Sequence, residues 1–163
     1  MKNLIFINGT MGVGKSSVCR QLNKLLDNSV WLDGDWCWMA DPFVVTDESK
    51  EMVTDNICHI LNNFIKCSEY KNIIFCWVMD FESIYESIVT GLNTENCNVF
   101  RFTITCNPDE LKNRVEGDMN QDGRNFEKSL ERVKRFDVMS TIKINNDNMT
   151  AKETAEHIKG LIG

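Results

Sequence analysis

Residues Gly9 to Ser16 read Gly-Thr-Met-Gly-Val-Gly-Lys-Ser and fit G-x-x-x-x-G-K-[ST] letter for letter. Each fixed position of that pattern has a chemical task. Glycines let the backbone wrap closely around a polyphosphate with its N–H groups facing inward, where a Cβ would obstruct. Lys15 brings a point charge to the β- and γ-phosphates, and Ser16 offers a hydroxyl to Mg²⁺. The candidate triphosphate contacts are Gly9, Thr10, Met11, Gly12, Val13, Gly14, Lys15, Ser16 and Ser17. A chance match in a chain of this length has odds on the order of half a percent.

A second group of chemical residues follows in Trp31-Leu32-Asp33-Gly34-Asp35-Trp36. Asp-Gly alone is a common turn pair. Beside a phosphate loop, two carboxylates at a strand end acquire a use: one to help hold Mg²⁺, the other to accept a proton from an attacking hydroxyl. Cationic candidates lie further on. Arg114 precedes the polar, glycine-containing stretch Glu116 to Asn125, which carries Arg124, and Arg132 and Arg135 follow it at i,i+3 spacing. A stretch of this kind near a triphosphate reads as a lid, about residues 116–126, whose arginines close over phosphate.

These residues need a scaffold, and the hydrophobic pattern supplies one. Apolar runs alternate with helical periodicity: strands at 3–8, 29–33, 72–79, 98–105 and 140–144; helices at 15–27, 48–67, 82–92, 108–116, 126–138 and 150–162. That alternation predicts an α/β fold in three layers, α/β/α, around a mostly parallel five-stranded sheet. In such a sheet ligands bind beyond the carboxyl ends of the strands, where the phosphate loop and the Asp33/Asp35 pair would meet. Asn107 before Pro108, and Thr150 with Glu153, mark two helix starts.

Bulk properties narrow the partners. At 163 residues, 42% hydrophobic and 26% charged, residues 1–163 are expected to form one domain. No apolar run reaches the ~18 residues of a membrane span, and the four apolar residues after Asn3 are too few for a signal-peptide core. Seven scattered cysteines without a C-x-x-C pair fit reduced thiols in the cytoplasm better than zinc or disulfides. A net charge of −6 argues against nucleic acid as main partner. Oligomeric state stays open.

The phosphate loop, the Asp-x-Asp after the second strand, the Leu111-Lys112-Asn113-Arg114 helix, the lid and the trailing Arg132/Arg135 helix resemble the small P-loop kinases. That group includes nucleoside monophosphate kinases, shikimate kinase, gluconate kinase and chloramphenicol phosphotransferase. The resemblance implies ATP and Mg²⁺ as cofactors and phosphoryl transfer to a hydroxyl. It makes Asp33, with Ser16, the metal-side carboxylate, and Asp35 the residue that binds or deprotonates the acceptor. Arg114 would lie against adenine, and Ile144-Asn145-Asn146 would begin the adenine-side loop. Arg124 would approach the transferring phosphoryl, and Arg132 and Arg135 would contact phosphates. Lys15, Asp35, Arg124 and Arg132 are thus the expected catalytic set.

The chain also departs from that pattern. No arginine occurs between Arg20 and Arg101, so the usual grip on an anionic acceptor is missing. Trp31, Trp36, Trp38 and Phe43, with Trp77 opposite, instead invite a neutral hydroxylated acceptor such as a nucleoside, sugar or antibiotic. Asp80 admits two readings, a carboxylate near Mg²⁺ or an ordinary polar strand end. Phe81 follows it rather than the glutamate of motor ATPases. The alternatives are a nucleotide-binding or ATPase module without a small-molecule acceptor, and a nucleoside monophosphate kinase. No N-K-x-D guanine signature is present.

Overall fold

The computed structural model describes residues 1–117 and 125–163. Five strands, β1 (Lys2–Asn8), β2 (Ser29–Asp33), β3 (Asn72–Cys76), β4 (Cys97–Thr105) and β5 (Ile142–Asn145), form one sheet in the order β2-β3-β1-β4-β5. Every pairing is parallel. The helices are α1 (Lys15–Leu25), α2 (Asp47–Lys66), α3 (Glu82–Thr90), α4 (Pro108–Gly117), α5 (Phe126–Asp137) and α6 (Ala151–Ile162).

The central strand shows why its run is almost wholly apolar. Alternate side chains leave a strand on opposite faces, and both faces of a parallel sheet are covered. Ile5 and Ile7 pack under Val18, Cys19 and Leu22 of α1 and Ala155 and Ile158 of α6. Leu4 and Phe6 pack under Val53, Ile57 and Leu61 of α2 and Ile88 of α3. The expected three layers are therefore present. Among the described residues no helix is long and apolar enough to cross a membrane, and all seven cysteines are free thiols.

Local signals set several boundaries. Asn107 Oδ1 accepts from the Glu110 amide at 2.8 Å, and Thr150 and Glu153 close a reciprocal capping box. A second box, Thr46 with Ser49, starts α2. Two strands differ from the periodicity. β3 ends at Cys76, three residues before the end of its apolar run, because Cys76 pairs with Asp33 at the last residue of β2 and with Ile7 near the end of β1. The edge strand β5 is shifted, starting at Ile142 opposite Phe102. A 3₁₀ turn, Gly34–Trp38, follows β2. The lid and Arg124 fall largely or wholly on residues 118–124, outside the described residues.

Candidate active site

β1 delivers the chain to the phosphate loop at the switch in strand order, with β3 on one side and β4 on the other. The loop bends through three glycines, Gly9 (φ 146°), Gly12 (φ 85°) and Gly14 (φ 97°), in backbone regions that L side chains rarely adopt. Space forbids a side chain at two of them. A Cβ on Gly9 would lie 2.6 Å from the Ile104 carbonyl oxygen, and one on Gly12 would lie 2.6 Å from Val115 Cγ2. Thr10 anchors the loop laterally by donating to the Ser129 carbonyl of α5 at 2.7 Å.

Lys15, the first residue of α1, folds back over the loop. Its Nζ donates to the carbonyls of Gly9 and Thr10, both at 2.9 Å. Burial pushes its ammonium below the ordinary 10.5, opposed by Cys76 and by the nearby Asp35 and Asp33 carboxylates. A cation held at a helix N-terminus beside the loop backbone is a ready anion site. This geometry fits a polyphosphate.

Ser16 and Asp33, 17 positions apart, meet directly: Ser16 Oγ donates to Asp33 Oδ2 at 2.7 Å. Asp33 Oδ1 accepts from the Asp35 amide at 3.1 Å, which caps the 3₁₀ turn and fixes where Asp35 leaves the backbone. Asp33 is buried and Asp35 exposed. A hydroxyl and a carboxylate side by side are hard oxygen donors of the kind Mg²⁺ takes while keeping most of its waters. Among the described residues no group of three or more His, Cys, Asp or Glu side chains is gathered for a metal, and an Mg²⁺ carried largely by phosphates and water does not require one.

The role of Gly34 differs from the turn its Asp-Gly pair suggests. Its φ is not positive; space is what it provides. A Cβ there would fall 2.5 Å from Cγ of Trp77. The Trp77 indole lies against this glycine, and its Nε1–H donates to Asp35 Oδ1 at 3.0 Å. Trp77 meets Trp38 edge-on at 5.7 Å, and Trp38 meets Phe43 likewise at 4.9 Å. Trp31 packs into the core while Trp36 and Phe43 stay 53% and 58% exposed, so the aromatic set divides between packing and surface.

On the opposite flank, α4 and α5 bring in the arginines. Arg114 Nη1 donates to the Val13 carbonyl at 3.0 Å and to Asn146 Oδ1 at 3.1 Å, and Glu110 holds its Nε at 2.8 Å. Asn146 in turn donates to the Val13 carbonyl at 3.1 Å. The back of the phosphate loop, α4 and the β5–α6 connection are thereby tied together. Arg135 Nη1 lies 2.5 Å from Asp80 Oδ2, and Arg132 Nε 3.5 Å from the same oxygen. Arg132 also reaches Met11 Sδ of the loop at 3.3 Å. Asp80 lies four residues beyond β3 and is paired with arginine, a partnership that neither reading of its sequence position contained. Met79 before it is buried in the left-handed region (φ 42°), with its carbonyl accepting from Asn8 Nδ2 at 3.3 Å. Non-glycine residues in that region persist only where the surroundings impose it.

One cleft of about 580 Å³ is lined by Met11, Gly12, Gly14, Lys15, Ser16, Ser17, Asp33, Asp35, Trp77 and Arg114. Most of the expected site residues therefore share one cavity. Gly9, Thr10 and Val13 are buried and do not line it, and neither do Arg132 and Arg135, which are paired with Asp80. A family model described as the AAA domain matches residues 5–135, from β1 through Arg135.

The chain belongs to the AAA domain family.

This AAA-domain chain also has the fold of the P-loop kinases. Over 100% of its length it is similar to the tunicamycin resistance protein of Deinococcus radiodurans, covering 96% of that chain at 18% identity with a TM-score of 0.76. It is similar to a gluconokinase from Sinorhizobium meliloti 1021 (TM-score 0.70, 16% identity, 98% of this chain and 91% of that one). The shikimate kinase of Bacteroides thetaiotaomicron is similar too, at TM-score 0.65 and 18% identity over 98% of both chains. No curated protein matches the chain in sequence. At these identities the likeness is one of fold, and the resemblance to small P-loop kinases read from the motifs holds at that level.

Proposed function

We propose that this chain is an ATP-dependent phosphotransferase that moves the γ-phosphoryl group of ATP to a hydroxyl of a small molecule. The observation that carries this reading is a single cleft in which the phosphate loop, the Ser16–Asp33 oxygen pair, the exposed Asp35 and Arg114 face one another. A nucleotide-binding module needs the phosphate loop, the oxygen pair and Arg114; the exposed carboxylate is the one that serves an acceptor.

In this reading the loop amides, Lys15 and the α1 N-terminus receive the triphosphate, and Ser16 and Asp33 would hold Mg²⁺, which when bound would neutralise phosphate charge. Asp35 orients the acceptor hydroxyl and takes its proton as the new O–P bond forms and the bond to the departing ADP oxygen breaks. Arg132, released from Asp80, and Arg124 of the lid add positive charge at the transferring group, and Arg135 supports the nucleotide phosphates. Arg114 serves the base side of the nucleotide through its fixed guanidinium plane. Chemistry of this kind depends mainly on positioning and charge stabilisation.

The acceptor is a neutral nucleoside, sugar or antibiotic-like compound. Supporting this are the absence of arginine between Arg20 and Arg101 and the Trp77 indole, which lines the cleft and donates to Asp35. Free thiols throughout suit a cytoplasmic enzyme. The test is a panel of neutral hydroxyl compounds, nucleosides and nucleoside monophosphates, assayed for ADP and phosphorylated product. Efficient transfer to a monophosphate would replace the neutral-acceptor reading with that of a mononucleotide kinase.

A further inference from the structure

We infer that Trp77 is a positioning residue for Asp35: it fixes one carboxylate oxygen so that the other faces the acceptor hydroxyl. This rests on the reading of Asp35 as the acceptor-side carboxylate. Three observations converge on the indole. Its Nε1–H donates to Asp35 Oδ1 at 3.0 Å, across 42 positions of sequence. Its ring fills the space that a side chain on Gly34 would need, with Cγ, Cδ1 and Cδ2 all within 2.9 Å of the ideal Cβ. Trp38 braces the ring edge-on at 5.7 Å.

The logic is one of degrees of freedom. Asp35 is exposed on a short 3₁₀ turn, where a carboxylate ordinarily samples several rotamers. An indole clamped between Gly34 and Trp38 removes that freedom through one charge-assisted bond. Donation to Oδ1 leaves Oδ2 as the oxygen available to a substrate, in the same cleft as Lys15 and Ser16. Misplacement by about 1 Å costs on the order of a hundredfold in rate, so a residue that never touches the reacting atoms sets the turnover.

The experiment is a double-mutant cycle on the full chain with Trp77→Phe, which keeps a ring and removes the N–H, and Asp35→Asn. Trp77→Phe is expected to lower kcat by ~10- to 100-fold while leaving acceptor KM, ATP-analogue affinity and melting temperature close to wild type. Added to Asp35→Asn it should change kcat by less than about twofold, because residues that act as a unit are not additive. In parallel, the Trp77 indole N–H resonance should move on Asp35→Asn substitution. Equal losses of kcat in both backgrounds, an unchanged kcat in Trp77→Phe, or a stationary indole resonance would each overturn the assignment. If wild type phosphorylated no acceptor, the transferase reading and the catalytic half of this inference would fall together. The resonance would still decide whether Trp77 holds Asp35.

Discussion

Replacing Asp80 with asparagine tests how the α5 arginines are held. Asp80 is one-tenth exposed and accepts from Arg135 at 2.5 Å, with Arg132 at 3.5 Å, both arginines about one-third exposed. Hydrogen bonds to charged groups contribute about 1.5–3 kcal/mol. Solvent screening at the arginines reduces this, and an asparagine keeps one neutral bond worth ~1 kcal/mol. The net loss is therefore about 0.5–2 kcal/mol. For a domain of this size 1 kcal/mol moves the midpoint by ~2–4 °C, so Asp80→Asn should melt roughly 1–8 °C lower. Thermal unfolding followed by circular dichroism measures this, and the gap should narrow with added salt. The Mg²⁺ dependence of nucleotide binding should stay as in wild type, because Asp33 is the carboxylate bonded to Ser16. An unchanged or raised midpoint would mean that desolvation of the pair cancels its attraction. A weakened Mg²⁺ dependence would place Asp80 at the metal and refute the division of labour between the two carboxylates.

Three further substitutions probe the cleft. Asp33→Asn should weaken the Mg²⁺ dependence of ATP-analogue binding by about tenfold or more, read by metal titration; an unaltered curve would exclude Asp33 from the metal site. Gly12→Ala and Gly14→Ala both meet a left-handed backbone penalty of ~1–2 kcal/mol, but only at Gly12 does the new Cβ collide with Val115. Urea unfolding should show Gly12→Ala as the less stable by about 1–3 kcal/mol, and equal losses would contradict the packing. Lys15→Met should bind ATP at least ~100-fold more weakly yet unfold no earlier than wild type at neutral pH, because it removes a desolvated ammonium. Since folding lowers the Lys15 pKa from 10.5, the native state binds fewer protons there. Wild-type stability therefore rises with pH from the lowered value towards 10.5, and the variant's advantage shrinks across that window. A pH-independent difference would show that burial does not burden Lys15.

The sheet and its helices were legible because their signals are local. Leu4 to Ile7 is a short apolar run followed at once by glycines and a helical stripe, and the caps at Asn107 and Thr150 follow from side chains three residues away. Trp77, Val78 and Met79 misled because hydrophobicity alone extends a strand, whereas β3 stops beside the ends of its neighbours. The contacts that shape the site are long-range and carry no period. Trp77 meets Asp35 across 42 positions, Arg135 meets Asp80 across 55, and Thr10 meets Ser129 across 119. Asp35, Trp77, Asp80, Arg135 and Thr10 each had a signal of their own type and Ser129 had none, and only the folded chain supplies the pairings. Gly34 is the clearest case: its sequence context suggests a turn, and its function is to leave room for an indole from another strand's end.

The central claim is that the cleft performs transfer rather than binding alone. It is tested most directly by incubating wild-type and Asp35→Asn protein with ATP, Mg²⁺ and neutral hydroxyl compounds, and quantifying ADP and phosphorylated acceptor. The account predicts a phosphorylated product in wild type that falls by at least ~100-fold in Asp35→Asn, with ATP-analogue affinity unchanged. ADP release that no compound raises above the water background, or transfer undiminished in Asp35→Asn, would contradict it.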